Sequence, residues 1–473
     1  MSLTDWPVDA GYAERRRFLR AGDLAVAMTV FGFVVAALVG LPLYDDGSRY
    51  LFTIATRHQP WVPNLRLAGT LPQLPAVMGF ALGADLPLGR LLFTLSYGAV
   101  PVLSLLGCWW LVRKRAPALL LAIMPTFVAM QLNFSGVSEL LSGVYLTWPL
   151  LLAMVLRGRA RWVRAIAIAV GPLLVLLHPL AFLYCFGLAV VAAISAQRSV
   201  ERGNQWRRIG WWLALCGLLR LGWTSLGLDS YERGRLTPTG ATEYILANSP
   251  SQHMLILILS LATLLAMWLR HRGAGQGRGS QALAAVWTVA FACSIWIGGE
   301  FVLGVGITLK SAITLIVPAI GMLAVSVLLF RQPPSPQRVQ PAMPSASVVL
   351  AGLTALTLLL GKSSAWWTGS RMLQNIVASS EHACLSFDGN QPYGLQWPWM
   401  RVVDAWSTPF TALATRPFVP NAAGTEAQPI ALLLDGDGCE RLQHTGLVHL
   451  PADTVELFSD VDAAFGPLRQ PPR

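Results

Sequence analysis

The chain has 473 residues, of which 54% are hydrophobic and only 12% are charged, and its mean hydropathy is +0.53. Soluble proteins carry about 25% charged residues, so these values exclude an ordinary water-soluble fold and disfavour disorder, coiled coils and nucleic-acid binding. The apolar residues are expected to face lipid. We therefore predict an all-α polytopic membrane protein, and the net charge of +11 must be interpreted through its topology.

Eleven apolar runs are predicted to form membrane-spanning helices, each crossing about 30 Å of hydrocarbon. In chain order they are 24–43, a run ending at Arg113, a hairpin of two across 118–156, two short helices across 163–196, 211–228, runs ending at Leu269 and Gly299, 311–330 and 348–361. The two short helices are predicted to turn at His178-Pro179, because proline there interrupts an otherwise continuous apolar stretch.

The basic residues sort between alternate loops, as the positive-inside rule requires. The segments assigned to the inside hold twenty Lys and Arg residues, whereas the short outside loops hold seven. This distribution places the N-terminal segment, residues 1–23, in the cytoplasm. An odd number of spans then places the C-terminus on the other side, in the periplasm of a bacterial inner membrane, and the preference for arginine over lysine is typical of GC-rich bacteria.

Two parts outside the membrane are predicted. The transmembrane domain, residues 24–361, has a long first outside loop at 44–90, and residues 362–473 form a small mixed α/β periplasmic domain with a β-like segment at 429–434. In an oxidising compartment Cys384 and Cys439 of this tail can form a disulfide. Two unpaired thiols are the alternative.

The first outside loop begins with two acids in Leu43-Tyr44-Asp45-Asp46-Gly47-Ser48-Arg49-Tyr50. Adjacent carboxylates at the end of a helix can act as a general base or bind a divalent cation. A solvated turn that ends the helix is the alternative. Apolar residues at helical spacing across 51–75 predict one or two helices along the membrane interface, where a lipid head group can be recognised.

The motif and the topology together resemble the GT-C glycosyltransferases. Within that superfamily the chain is most similar to protein mannosyltransferases, aminoarabinose transferases and arabinofuranosyl transferases, which commonly contain Asp-Glu-x-Arg-Tyr. Here Asp46, Arg49 and Tyr50 match the Asp, Arg and Tyr of that pattern. Gly47 replaces its Glu, and Asp45 supplies a second acid one position earlier. The topological resemblance covers the whole chain, whereas the motif covers about six residues.

The resemblance implies an enzyme that transfers a sugar from a polyprenyl-phosphate-linked donor to a periplasmic glycan or protein acceptor. It implies that Asp46 or Asp45 is the catalytic base or binds the acceptor hydroxyl, and that Glu139 is the second acid. A glutamate favoured by the helix dipole is the alternative for Glu139. The implied partners are this donor, its acceptor and membrane lipids. The resemblance implies no certain cofactor, and a divalent metal stays open.

An inverting transfer also needs cations that stabilise the departing phosphate. Candidates for binding the donor phosphate are Arg57, His58, His178, Arg233, Arg235 and Lys310. Candidates for binding the sugar or the acceptor are Arg49, Tyr50, Asp229, Tyr231, Glu232, Glu243 and Tyr244. Solvated loop charges, a snorkelling lysine and a capped His-Pro turn are the structural alternatives.

Two other functions fit the same composition. One is an O-antigen or exopolysaccharide polymerase or ligase, which generally carries its essential His and Arg residues in a large loop late in the bundle. The other is a non-enzymatic transporter or flippase of lipids or polysaccharides, in which polar residues are expected near the middle of the membrane. The position of the acids at the ends of the predicted spans favours interfacial chemistry.

Overall fold

The computed structural model describes residues 10–43, 46–62, 66–129, 137–157, 160–198, 203–227, 322, 345–379, 384–387 and 432–435. Within these ranges it contains ten α-helices and two short strands. The helices are α1 (Ala10–Val39), α2 (Asp46–Arg57), α3 (Leu74–Ala81), α4 (Leu86–Arg113), α5 (Leu120–Ala129), α6 (Glu139–Arg157), α7 (Arg161–Val175), α8 (Phe182–Arg198), α9 (Gly203–Gly227) and α10 (Ser345–Ser379). Turns of 3-10 helix lie at Leu41–Leu43, Leu67–Gln73, Pro117–Leu119 and Pro179–Ala181.

Five of the described helical segments are long and apolar enough to cross a membrane. They are Arg15–Val39, Leu86–Arg113, Glu139–Leu156, Pro179–Gln197 and Val348–Thr368. Large apolar side chains such as Phe31, Leu103 and Val190 are exposed on their outer surfaces, as expected for helices that face lipid. The chain is therefore a helical protein with five candidate membrane spans, and a multi-pass membrane protein is plausible.

The remaining predicted spans have different outcomes. Helices α7 and α8 flank the turn at 176–181, which confirms two helices separated at His178-Pro179. Helices α5 and α7 are shorter than the roughly 20 residues that a span needs, with 10 and 15 residues. Helix α9 occupies the seventh predicted run. The predicted runs that end at residues 269, 299 and 330 lie outside the described residues, apart from Met322.

Helix α10 packs along α1 in a parallel direction. A Cβ on Gly352 would lie 2.5 Å from the Cα of Ala25, and one on Gly40 would lie 3.5 Å from Nε1 of Trp366. The early residues of both helices therefore meet, and so do the late ones. Small residues permit such close approach of apolar helices. The chain leaves α10 at the end opposite to the start of α1, which is the arrangement that an odd number of spans requires.

The basic clusters that the structure describes meet at the end of the bundle where α1 begins and α4 ends. Arg15 donates to the carbonyl of Lys114 at 2.9 Å, and Arg115 donates to the carbonyl of Leu156 at the end of α6. Arg164 donates to the side-chain oxygen of Gln205, near the start of α9. The basic segments around Arg15, Lys114 and Arg164 thus lie on one side, beside the start of α9, as the charge pattern predicted. The opposite end, where α1 finishes and α4 and α6 begin, is called the α2 end.

The last helix differs from its predicted limits, and the tail contains two short strands. The last helix continues to Ser379, whereas the predicted run ended at Gly361. In the tail, strand β1 (Cys384–Phe387) pairs in parallel with β2 (Leu432–Asp435), with Cys384 opposite Leu432. A strand therefore forms close to the β-like segment predicted at 429–434. Cys439 lies outside the described residues, so the disulfide and the domain division stay predictions.

Candidate functional site

Gly47 brings α2 against the rest of the bundle. A Cβ at this position would lie 1.8 Å from the carbonyl oxygen of Pro42 and 3.0 Å from Cγ2 of Val137. No side chain fits there without moving the backbone. The glycine that replaces glutamate in the resembled motif is thus explained by packing, because α2 lies directly on the 3-10 turn Leu41–Leu43. The same approach places the next turn of α2 beside the start of α6.

The carboxylate of Glu139 is the centre of a buried polar cluster at the α2 end. Tyr50, one turn after Gly47, donates its hydroxyl to Oε1 of Glu139 at 2.6 Å. Arg66 donates from Nη1 to Oε2 at 3.1 Å and forms an ion pair with it. Tyr50 is 3% exposed and Glu139 is 5% exposed. Both carboxylate oxygens thus accept a hydrogen bond away from solvent, which is how a buried charge is stabilised.

Gly69 completes the enclosure of Glu139. A Cβ on this residue would lie 2.8 Å from Cγ of Glu139 and 3.4 Å from its Oε1. The backbone of the 3-10 turn Leu67–Gln73 therefore lies directly against the carboxylate. We call Tyr50, Arg66, Gly69 and Glu139 the Glu139 cluster.

Asp46 lies next to this cluster as the first residue of α2, where its charge is favoured by the helix dipole. It is partly buried, and it interacts electrostatically with Tyr50 one turn later. Burial first, and the carboxylates of Glu139 and Asp46 next, hold the pKa of Tyr50 well above its usual range. The phenol therefore stays protonated at neutral pH and acts as a donor. Two acids separated by about ninety positions in the sequence share this phenol as a neighbour.

Hydrogen bonds from Gln73 fix the backbone around the cluster. Its side chain accepts from the N–H of Trp61 at 2.8 Å and donates to the carbonyl of the same residue at 2.9 Å. It also donates to the carbonyl of Gly69 at 3.2 Å. The guanidinium of Arg49 lies 4.6 Å from the centre of the Trp61 ring, within the range of a cation–π contact. The described residues of the first loop, 46–62 and 66–81, are therefore held together by side-chain contacts and pack against α4 and α6.

Other buried charges lie at the same end. Arg220 of α9 is buried and donates to the carbonyl of Val175 at 3.0 Å, at the C-terminus of α7, where a cation is favoured by the helix dipole. The next residue, Leu176, accepts a hydrogen bond from Ala68 of the first loop at 3.0 Å. Within the described part of the chain, Glu139, Arg220 and Lys362 are the charged residues that are buried, and all three lie towards the α2 end.

Three candidates for binding the donor phosphate have described positions. Arg57 ends α2 and is partly exposed. His58 follows it with a positive φ of 53°, is exposed and stacks on Phe80 with ring centres 6.3 Å apart. His178 caps the turn Pro179–Ala181, where its Nδ1 accepts from the N–H of Leu180 at 3.1 Å. The capped turn is therefore realised at His178, and its phosphate role stays a prediction.

The other sequence-based candidates have no described position. They are Asp45, Asp229, Tyr231, Glu232, Arg233, Arg235, Glu243, Tyr244 and Lys310, all outside the described residues. The described residues contain no group of three or more His, Cys, Asp or Glu side chains that could hold a metal ion.

Arg66 and Gln73 belong to the site but are not among the residues that the sequence predicts for it. Arg66 contacts an acid 73 positions away, and no local spacing predicts such a pair. Gln73 lies in a stretch with several prolines, where a fully buried amide gives no pattern of its own.

Comparison with protein-family models, curated proteins and solved structures found no significant match to this chain.

Proposed function

We propose that the chain is an integral membrane glycosyltransferase of the GT-C type, which transfers a sugar from a polyprenyl-phosphate-linked donor to an acceptor at the α2 end. The observation that supports this most is the buried Glu139 carboxylate, held by Tyr50 and Arg66 beside the acid-bearing start of α2. Ionisable side chains buried in membrane proteins are costly and usually functional. Such a group at the end of a candidate span fits chemistry at the membrane surface.

The roles of the two described acids follow from their surroundings. Both oxygens of Glu139 already accept hydrogen bonds, so this residue is proposed to hold Tyr50 and Arg66 in place. Asp46 is partly exposed and is proposed to be the base. The acceptor oxygen attacks the anomeric carbon, its proton passes to the Asp46 carboxylate, and the bond from that carbon to the phosphate oxygen breaks with the electron pair leaving on the phosphate.

The test compares cell-envelope glycans and glycoproteins by mass spectrometry in a deletion strain carrying wild-type or variant genes. Asp46→Asn and Glu139→Gln are expected to lose the same sugar modification as the deletion, because each removes a carboxylate without changing its size. Asp85→Asn is the matched control. Asp85 is an exposed carboxylate at the same end that accepts from the N–H of Leu88 at 3.0 Å, and asparagine also caps helices well.

Membrane levels of every variant are measured by immunoblotting, so that a loss of product is separated from a loss of protein. A deletion that leaves all envelope glycans and glycoproteins unchanged would contradict the proposed activity. An active Asp46→Asn variant would remove only the assignment of the base.

A further inference from the structure

Helix α3 forms an antiparallel hairpin with the first part of α4. A Cβ on Gly79 would lie 2.6 Å from Cδ1 of Leu92, and a Cβ on Gly89 would lie 2.2 Å from Cζ of Phe80. Later residues of α3 thus meet earlier residues of α4. We call residues 67–95, which comprise the preceding 3-10 turn, α3 and the start of α4, the α3 hairpin.

The α3 hairpin exposes an apolar surface. Met78 of α3 is 62% exposed, and Leu82 at the end of this helix is 85% exposed. The exposed apolar side chains follow helical spacing, and they are Leu71, Leu74, Met78 and Leu82 before the turn and Leu88, Leu91 and Leu95 after it. The sequence from Leu67 to Ala84 contains no charged residue. Apolar surface of this extent marks a place where a membrane or another molecule binds.

The exposed surface of α4 continues from the α3 hairpin along the whole candidate span. Its large exposed apolar side chains form one stripe at helical spacing, which consists of Leu88, Leu91, Leu95, Leu103, Leu106 and Trp110. Leu88 and Trp110 are 22 positions apart, which corresponds to about 33 Å at 1.5 Å per residue. The hydrocarbon core of a bilayer is about 30 Å thick. The stripe therefore has the length of one complete crossing.

Both ends of this stripe carry residues that are expected at a membrane surface. Trp110 lies one turn before the exposed basic segment 113–115, and tryptophan is enriched at membrane interfaces. At the other end, the exposed Asp85 lies in the turn of the hairpin and accepts from the N–H of Leu88 at 3.0 Å. A bilayer that matches the stripe thus reaches from Trp110 to the tip of the α3 hairpin.

A membrane surface level with the end of α1 would give a different result. Helix α1 ends at Val39, and it meets α4 at Gly98, where a Cβ would lie 2.8 Å from Cβ of Ala37. A surface at that level would leave α3 and the first three turns of α4 in water. A surface at Asp85 instead keeps their apolar side chains in lipid, which the hydrophobic effect favours.

We propose that the α3 hairpin is a re-entrant element embedded in the bilayer leaflet at the α2 end, where lipid acyl chains cover its exposed apolar side. The sequence predicts helices along the membrane interface in this region, whereas the proposal places residues 71–82 below that interface. This inference concerns the position of the chain in the membrane and holds whatever reaction the site performs.

The backbone of the hairpin suits this position. Non-helical backbone at membrane depth must be shielded from lipid by protein. The carbonyl of Gly69, in the 3-10 turn, accepts from the hydroxyl of Tyr97 at 3.4 Å and from the side chain of Gln73 at 3.2 Å. The same glycine lies against Glu139, whereas Leu71 of this turn is exposed on the other side. The turn therefore separates the buried carboxylate from the lipid.

The test photolabels the full-length wild-type protein in liposomes with three diazirine probes and locates the adducts by mass spectrometry. One probe is a phosphatidylcholine with the diazirine in the middle of an acyl chain, the second carries it on the head group, and the third is a water-soluble diazirine. Leu103, exposed in the middle of the stripe, is the internal control for lipid, and the exposed Lys114 is the control for water. The ratio of acyl-chain to water-soluble adducts on residues 71–82 is expected to equal that on Leu103. It is expected to exceed the ratio on Lys114 at least about tenfold, because the hydrocarbon core contains no water.

The three probes separate the alternatives. Adducts on residues 71–82 that come mainly from the head-group probe would place the hairpin at the interface, and adducts mainly from the water-soluble probe would place it in water. Weak labelling of this segment by all three probes, with normal labelling of Leu103, would mean that a protein surface covers it. Each of these three results overturns the proposal.

Discussion

Replacing Arg66 with methionine removes the cation that faces the buried carboxylate of Glu139. The ion pair is 3.1 Å long, and its side chains are only 16% and 6% exposed. Breaking a buried pair by removing one partner costs about 3–5 kcal/mol, because the remaining charge stays in a medium of low polarity. Tyr50 keeps its 2.6 Å bond to Glu139, so we expect the lower part of this range, about 3 kcal/mol.

The assay is thermal unfolding in detergent, followed through the fluorescence of the eighteen tryptophans. Arg113→Met is the control, because the ion pair of Arg113 with Asp23 has a length of 2.7 Å but is 48% and 42% exposed. An exposed pair contributes about 0–1 kcal/mol, so this variant is expected to unfold close to the wild-type temperature.

A double variant tests the cause of the effect. Adding Glu139→Gln to Arg66→Met removes the buried charge, so the double variant should be less destabilised than the sum of the two single variants. The reasoning fails if Arg66→Met unfolds no earlier than Arg113→Met, or if the two single effects simply add.

Two further predictions concern α2. Gly47→Ala is expected to destabilise the protein by about 1–3 kcal/mol through overpacking. Gly222→Ala is the control, because no atom lies within 4 Å of its new Cβ, and it is expected to be neutral or stabilising by up to about 1 kcal/mol. Equal unfolding temperatures of the two variants in detergent would contradict the close approach of α2. Because the pKa of Tyr50 is raised, the folded state keeps a proton that the unfolded state loses above about pH 10, and stability is expected to fall as the pH rises beyond that value. Tyr50→Phe is expected to make this decline in unfolding temperature shallower. An identical pH profile in Tyr50→Phe and wild type would refute this contribution.

Several features could be predicted from the sequence because they depend on composition and local spacing. Low charge and long apolar runs identified the membrane class, and the arginine pattern predicted that the basic clusters share one end. The helix break at His178-Pro179 follows from proline chemistry, which acts within a few residues. Asp46 and Glu139 are predicted from the sequence as acids next to spans, and in the structure both interact electrostatically with Tyr50.

The side-chain contacts within the Glu139 cluster could not be predicted from the sequence. Tyr50 and Glu139 are 89 positions apart, and Arg66 and Glu139 are 73 apart. The packing of separate helices brings such residues together, and no periodicity along the chain records it. The role of Gly47 was equally hidden from the sequence. By sequence this glycine is only a departure from a motif, whereas in the structure it lies against the carbonyl of Pro42.

Lys362 shows the difference most directly. By sequence it is the first charge after an apolar run, and a charge at that point indicates the end of a span. Hydropathy averages the properties of neighbouring residues, so it cannot distinguish a lysine in water from one enclosed by other helices. The sequence alone determined that this chain is apolar, helical and sorted by charge. Only the tertiary structure decided that Lys362 continues the helix and lines a cavity, because α1, α4 and α6 supply the other walls.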